Sequence, residues 1–193
     1  MRVFVAGATG VIGIRLVPLL VAAGHVVAGM TRSPDKVGML LGLGAEPVVC
    51  DVYDAERLRD MVVAFGPDAV VDELTDLPDD RSRIPEYKAP NSRIRREGTA
   101  NLLAAARAAG ASRFIAESVA WTLDRDGGEA VADLEQAVLG AGGVVIRYGH
   151  LYGAGTHFED ELPPPPRIHV DEAARRTVPA LDAPSGVILA VEG

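Results

Sequence analysis

Short apolar runs alternate with amphipathic stretches along almost the whole chain. Runs at 2–6, 26–30, 46–50, 68–74, 113–117 and 143–148 read as strands. Stretches at 11–23, 34–43, 54–65, 92–109 and 129–141 carry the spacing of helices. Several helix ends are legible. Ser33 before Pro34 reads as an N-cap with proline at the first helical position, and Asp54 before Ala55 as another cap. Gly24, Gly110 and Gly142 stand where helices stop. Strands that alternate with helices need right-handed crossovers, and these give a parallel sheet covered on both faces. The predicted class is α/β, a doubly wound parallel sheet whose ligand lies at the carboxyl ends of the strands.

Two segments break the rhythm. Residues 75–91 are rich in Asp, Pro and Arg, and a long loop after the fourth strand is a common place for function. Residues 153–167 hold Gly-Ala-Gly-Thr, an acidic patch and four prolines, Pro163 to Pro166, expected to form a stiff extended connector. A last helix opening at Asp171 and a strand over 186–191 follow. A length of 193 residues suits one domain. The expected division is a dinucleotide-binding part over 1–150 and a short extension over 151–193 packed on it.

The glycines at 7, 10 and 13 follow the first strand and open an amphipathic helix. Gly7 permits a tight turn, Gly10 lets a pyrophosphate approach the backbone, and Gly13 lets the helix pack closely on the sheet. The helix N-terminus then offers free N–H groups and a positive dipole end to an anion. Strand, turn and helix in that order are the context that makes spaced glycines a dinucleotide signature. The net charge of −8 argues against a nucleic-acid or anionic-membrane partner. Arg93, Arg95 and Arg96 form the nearest basic cluster, read either as a solvated helix face or as a phosphate site. The single cysteine, Cys50, forbids an internal disulfide and favours a reducing compartment such as the cytoplasm. No apolar stretch reaches the ~20 residues of a membrane span. His157, Glu159, Asp160 and Glu161 match no metal-ligand spacing, so no metal is expected.

Four stretches together resemble the short-chain dehydrogenase/reductase superfamily, and within it the extended NAD-dependent epimerase/dehydratase family. They are Gly7-Ala8-Thr9-Gly10-Val11-Ile12-Gly13, Glu97-Gly98-Thr99-Ala100-Asn101-Leu102-Leu103 with Arg113-Phe114-Ile115, Arg147 to Gly155, and Ile168-His169-Val170-Asp171-Glu172-Ala173. The resemblance implies a Rossmann-like fold. It also implies that Gly7, Thr9, Gly10, Val11, Ile12 and Gly13 line the diphosphate turn, Asp51 and Val52 meet the adenine, and Leu74 and Thr75 lie under the nicotinamide ribose. Asp51 also reads as a helix-entry cap near Asp54. Family members often dimerise through two helices, here 92–109 and 129–141, which implies a homodimer. The second strand ends with Thr31-Arg32-Ser33 and carries no acid over 29–32. A guanidinium pairs well with a 2′-phosphate, so NADP(H) is expected over NAD(H), unless Arg32 is merely solvated.

The chain departs from the family at its chemistry. The family's tyrosine and lysine, four residues apart, would fall on Gly127 and Val131, and no Lys or Tyr occurs anywhere from 122 to 147. The helix asparagine is Arg95 here, with Asn91 one turn earlier. Three substitutes stand out. Ser118 could polarise a substrate carbonyl or cap the strand end. Glu117 could act as acid or base if desolvated, or be a surface residue. His150, flanked by Tyr148 and Tyr152, could exchange protons near neutral pH or be structural. Trp121 could wall the site or fill the core. The family's insertion between the Tyr-Gly turn and the His-Val-Asp segment is cut to about a dozen residues, so the substrate region is reduced. The expected function is an atypical NADP(H)-dependent oxidoreductase, epimerase/dehydratase-like, acting on a small molecule. The alternatives are a non-catalytic NAD(P)-binding sensor or regulatory protein, and a cofactor-independent scaffold.

Overall fold

The computed structural model describes residues 1–192. Its main sheet has seven parallel strands: β1 (Arg2–Ala6), β2 (Val26–Thr31), β3 (Glu46–Val49), β4 (Ala69–Asp72), β5 (Arg113–Val119), β6 (Val144–Tyr148) and β9 (Gly186–Ala190). Their order is β3-β2-β1-β4-β5-β6-β9. The winding reverses between β1 and β4, which opens a crevice at the carboxyl ends of those two strands. Helices α1 (Gly13–Ala22) and α7 (Val170–Thr177) cover one face, with Leu16, Val17, Leu20, Ala173 and Ala174 packed on Val3, Val5, Val71, Ile115 and Ile146. The other face lies under α3 (Ala55–Phe65), α5 (Thr99–Ala108) and α6 (Arg125–Gly140), with Leu58, Val62, Leu102, Leu134 and Val138 on Phe4, Val70, Phe114 and Val145. Because both faces are buried, successive residues of one strand serve opposite cores, and the strands read as unbroken apolar runs.

All six strands expected over residues 1–148 form, and 186–190 adds the seventh. Differences lie at helix ends and loops. The first helix begins at Gly13 rather than 11, since residues 10–12 are spent in the turn. The segment 34–43 opens as a 3₁₀ turn, Pro34–Lys36, before the short helix α2 (Val37–Gly42), and Ser33 makes no side-chain cap bond. The helix expected from 129 begins at Arg125, because Asp124 accepts from the Gly127 amide and caps it earlier. The helix expected from 92 begins as α4 (Lys88–Arg93) and passes through a π segment, Ile94–Gly98, into α5. The 75–91 loop contains a 3₁₀ turn, Arg81–Tyr87. A two-stranded parallel ribbon, β7 (His150–Tyr152) with β8 (Arg167–His169), frames the proline segment.

Candidate functional site

The glycine turn joins β1 to α1 beside the crevice. Gly7 has φ +79°, and a Cβ there would lie 2.4 Å from the Glu73 carbonyl oxygen. A Cβ on Gly13 would lie 2.2 Å from the Gly7 carbonyl oxygen. Both glycines are therefore demanded by close backbone packing. Gly10 differs. Its hypothetical Cβ meets only the Gly7 carbonyl oxygen, at 3.2 Å, and the residue is exposed. The amides of Val11 and Ile12 have no hydrogen-bond acceptor among the described residues. Open space over Gly10 and two unspent amides at a helix N-terminus fit the bridging phosphates of a dinucleotide.

The neighbouring positions are distributed as follows. The Thr9 and Thr31 hydroxyls lie 3.3 Å apart and join the turn to the end of β2. Arg32 is largely exposed and donates to Asp76 at 3.2 Å. Asp51 is exposed and accepts from the Tyr53 amide, while Val52 is buried. Leu74 is half-buried and Thr75 exposed, just beyond β4. Arg15 of α1 ties the turn down: it donates to Asp171 at 2.6 Å and to the Ala154 carbonyl at 2.6 Å.

Ser118, Glu117 and His150 do not converge. Successive residues of β5 point to opposite faces, so Ser118 faces α6 and Glu117 faces the α1/α7 side. The Ser118 hydroxyl donates to Glu135 at 2.6 Å, and Arg147 donates to the same carboxylate at 2.8 and 2.5 Å. Burial works against ionisation of Glu135, but these bonds outweigh it and hold its carboxyl below the usual range. His150 stacks on Trp121 with ring centroids 3.9 Å apart and meets Phe158 edge-on. Burial and the nearby Arg81 lower its pKa. The two long loops meet above it. Arg81 pairs with Glu161 at 2.9 Å and lies over Phe158, and His157 bonds the Pro78 carbonyl at 2.7 Å. Below them Trp121, Val131, Ala132, Glu135, Arg147 and Leu189 line a groove of about 640 Å³. Val131 is the position that the family resemblance assigns to its lysine.

Sequence reasoning named Glu117 but passed over Asp72 and Glu73, which the fold places around it. Asp72 and Ala116 are partners across β4 and β5, so Glu73 and Glu117 occupy the next rung on one face. Both are 8% exposed. Tyr148 donates to Glu73 at 3.2 Å, and its hydroxyl lies 2.5 Å from that of Thr177. Arg95, from the π segment, approaches Glu117 at 3.7 Å. Glu73 Oε2, Glu117 Oε1 and Arg95 Nε have no hydrogen-bond partner among the described residues. Burial and the Glu117 charge push the Glu73 carboxyl well up, and burial raises Glu117 against the pull of Arg95. Asp72, on the opposite face, accepts from Thr99 at 2.8 Å, and burial pushes it up to about 7. The visible signal was two acids, Asp72 and Glu73, closing an otherwise apolar strand.

Comparison with known proteins agrees with this geometry. A family described as NAD(P)H-binding matches residues 7–147. A 3-diazoavenalumate denitrifying reductase from a Streptomyces species is 37% identical over 225 aligned positions, which cover 95% of this chain and 73% of the relative. That alignment is longer than this 193-residue chain, so the relative carries inserted residues within the matched span. Among solved structures, the UDP-Glc/GlcNAc 4-epimerase of Campylobacter jejuni superposes with a TM-score of 0.82 at 14% identity, covering 100% of this chain and 78% of its own. The UDP-glucose 4-epimerase of Thermus thermophilus, in complex with NAD, gives 0.78 at 20% identity, with 100% and 78% covered. These two share the fold. With its glycine turn, its sheet order and this match over most of its length, the chain belongs to the NAD(P)H-binding family.

Proposed function

We propose that this protein is an NADP(H)-dependent reductase of an electron-poor small molecule, with diazo compounds the first class to test. The observation that carries this reading is the alignment of 95% of the chain with a reductase whose name joins a diazo substrate to loss of nitrogen. The unspent amides of Val11 and Ile12 would hold the phosphates, Thr9 and Gly10 would border them, and Leu74 and Thr75 would lie under the nicotinamide ribose. Bound there, a reduced nicotinamide supplies a hydride. The protein's own contribution is orientation and exclusion of water. The linked loops 75–91 and 153–167 would cover the substrate, and the stacked Trp121 and His150 would wall it with apolar surface.

The test is loss of reduced-nicotinamide absorbance with aryl diazonium salts, ketones, quinones and flavins. Oxidation of NADPH by at least one class is expected. Tight NADPH binding with no turnover on any of them overturns the reading in favour of a cofactor sensor.

The choice of NADP(H) over NAD(H) rests on Arg32, whose exposed guanidinium is held by one 3.2 Å bond to Asp76. A 2′-phosphate offers it a stronger, bidentate partner. Arg32→Ala is expected to weaken NADPH binding about ten-fold and leave NADH binding unchanged. Fluorescence titration with both cofactors checks this. Wild-type protein that binds NADH as tightly as NADPH defeats the preference.

A further inference from the structure

No tyrosine or lysine stands on α6, yet the adjoining strands carry an acid pair. Glu73 and Glu117 are side by side at the carboxyl ends of β4 and β5, on the face shared with Tyr148. The backbone of Glu73 packs against the glycine turn: its amide donates to the Ala6 carbonyl at 3.0 Å, and its own carbonyl lies against Gly7. The pair therefore sits beside the phosphate turn, one residue before the ribose positions Leu74 and Thr75. Each residue is at least nine-tenths buried; Glu73 Oε2 has no partner among the described residues, and Glu117 Oε1 makes no hydrogen bond and faces only the Arg95 guanidinium at 3.7 Å. Orphaned oxygens on buried acids are costly unless something bonds them. Two buried carboxylates on one rung also repel each other, and a single proton removes the repulsion.

We propose that Glu73 and Glu117 together hold one proton at the floor of the site and pass it to the reduced substrate. The inference rests on the reductase reading above. The step balances with the hydride of the reduced nicotinamide and the solvent. With a neutral acceptor, such as a ketone or quinone of the panel, hydride addition leaves an electron pair on a substrate oxygen, whereas an aryl diazonium cation is neutralised by the hydride and takes no proton. The carboxyl O–H bond of the pair then breaks, its electrons stay on the carboxylate, and the proton bonds to that oxygen. Water later returns a proton to the pair. The charged and titratable groups around the pair divide the labour. Arg95, from the π segment, stabilises the ionised form of Glu117. Tyr148, from β6, donates to Glu73 Oε1 and leaves Oε2 free. Asp72, on the other face of β4, adds negative charge that favours retention of the proton.

Carbon-13 NMR of protein labelled at the glutamate carboxyl reads the proton directly, without cofactor or substrate. At pH 7 one glutamate resonance is expected at its protonated position, to disappear in Glu73→Gln and to shift in Glu117→Gln. A spectrum in which every glutamate is ionised overturns the shared proton. Glu73→Gln is isosteric and removes a buried charge, so it is expected to fold; unchanged NADPH fluorescence titration confirms that. With a ketone or quinone from the panel, its turnover is expected to fall on the order of 10²-fold and to lose the wild-type decline toward alkaline pH. Wild-type turnover and pH profile in both glutamine variants overturn the delivery step. If the wild type binds NADPH and reduces nothing, the reductase reading and the delivery step fall together. The protonated resonance then still establishes the acid pair.

Discussion

Gly13→Ala is expected to abolish binding of the reduced nicotinamide and to destabilise the fold, whereas Gly10→Ala is expected to weaken binding alone. At Gly13 a Cβ would sit 2.2 Å from the Gly7 carbonyl oxygen and 2.7 Å from Ala8 backbone atoms. None of these is the end of a flexible side chain, so β1 and α1 must separate. Overpacking of this kind costs on the order of 3 kcal/mol, about 10 °C in Tm for a chain of this size. At Gly10 the one close neighbour is at 3.2 Å, so stability should change by about 1 kcal/mol or less. The added methyl would nevertheless stand where the phosphates approach. Thermal unfolding and cofactor titration on both variants separate the effects. Equal loss of stability in the two, or intact binding in Gly13→Ala, contradicts this account of the turn.

Asp72 is expected to make the protein less stable as pH rises from about 4 to about 7, and Asp72→Asn to remove that part of the decline. The carboxyl ionises at 3.8 in an ordinary setting and at about 7 when buried here. Below 3.8 folded and unfolded chains both carry the proton, and ionisation costs nothing. Between the two values the unfolded chain has released a proton that the fold retains, so stability falls with each step upward. Above about 7 both states are ionised and the loss is complete. A gap of this width corresponds to at most ~4 kcal/mol, reduced by any relaxation around the charge. Glu73 and Glu117, also raised, act with the same sign, so some decline persists in the variant. Glu135, held low by Arg147 and Ser118 against the cost of burial, acts oppositely and loses its contribution as pH falls. Urea midpoints of wild type and Asp72→Asn should therefore diverge from pH 4 to pH 7, with the variant more stable at pH 8. Parallel curves would show that Asp72 ionises normally in the fold.

The two predictions draw on different kinds of information. The glycine turn was legible because its parts are contiguous: strand, glycines and helix follow one another within a dozen residues. The strand runs were legible for a similar reason, since burial on both faces leaves a continuous apolar signature. Helix starts were less so. Asp124 caps α6 four residues before the expected start, and Pro34 begins a 3₁₀ turn rather than a regular helix. The choice between them depends on cap geometry, which a periodicity does not carry.

Side-chain partnerships depended on register. Ser118 was a candidate for substrate contact, and the structure engages its hydroxyl with Glu135 and, through it, Arg147. Glu117 was a candidate by itself, but its neighbours are Glu73 on the next strand and Arg95 on the π segment. His150 stood as either a proton-exchanging or a structural histidine, and it stacks on Trp121 from the loop after another strand. From the residue order alone followed the alternating α/β class and a tight glycine turn after the first strand, because local backbone sterics and the two burial periods are written along the chain. The crossovers of the parallel sheet alone decided which acids share a rung and which loops meet, because they bring to within a few ångströms side chains whose separation along the chain holds no trace of that contact.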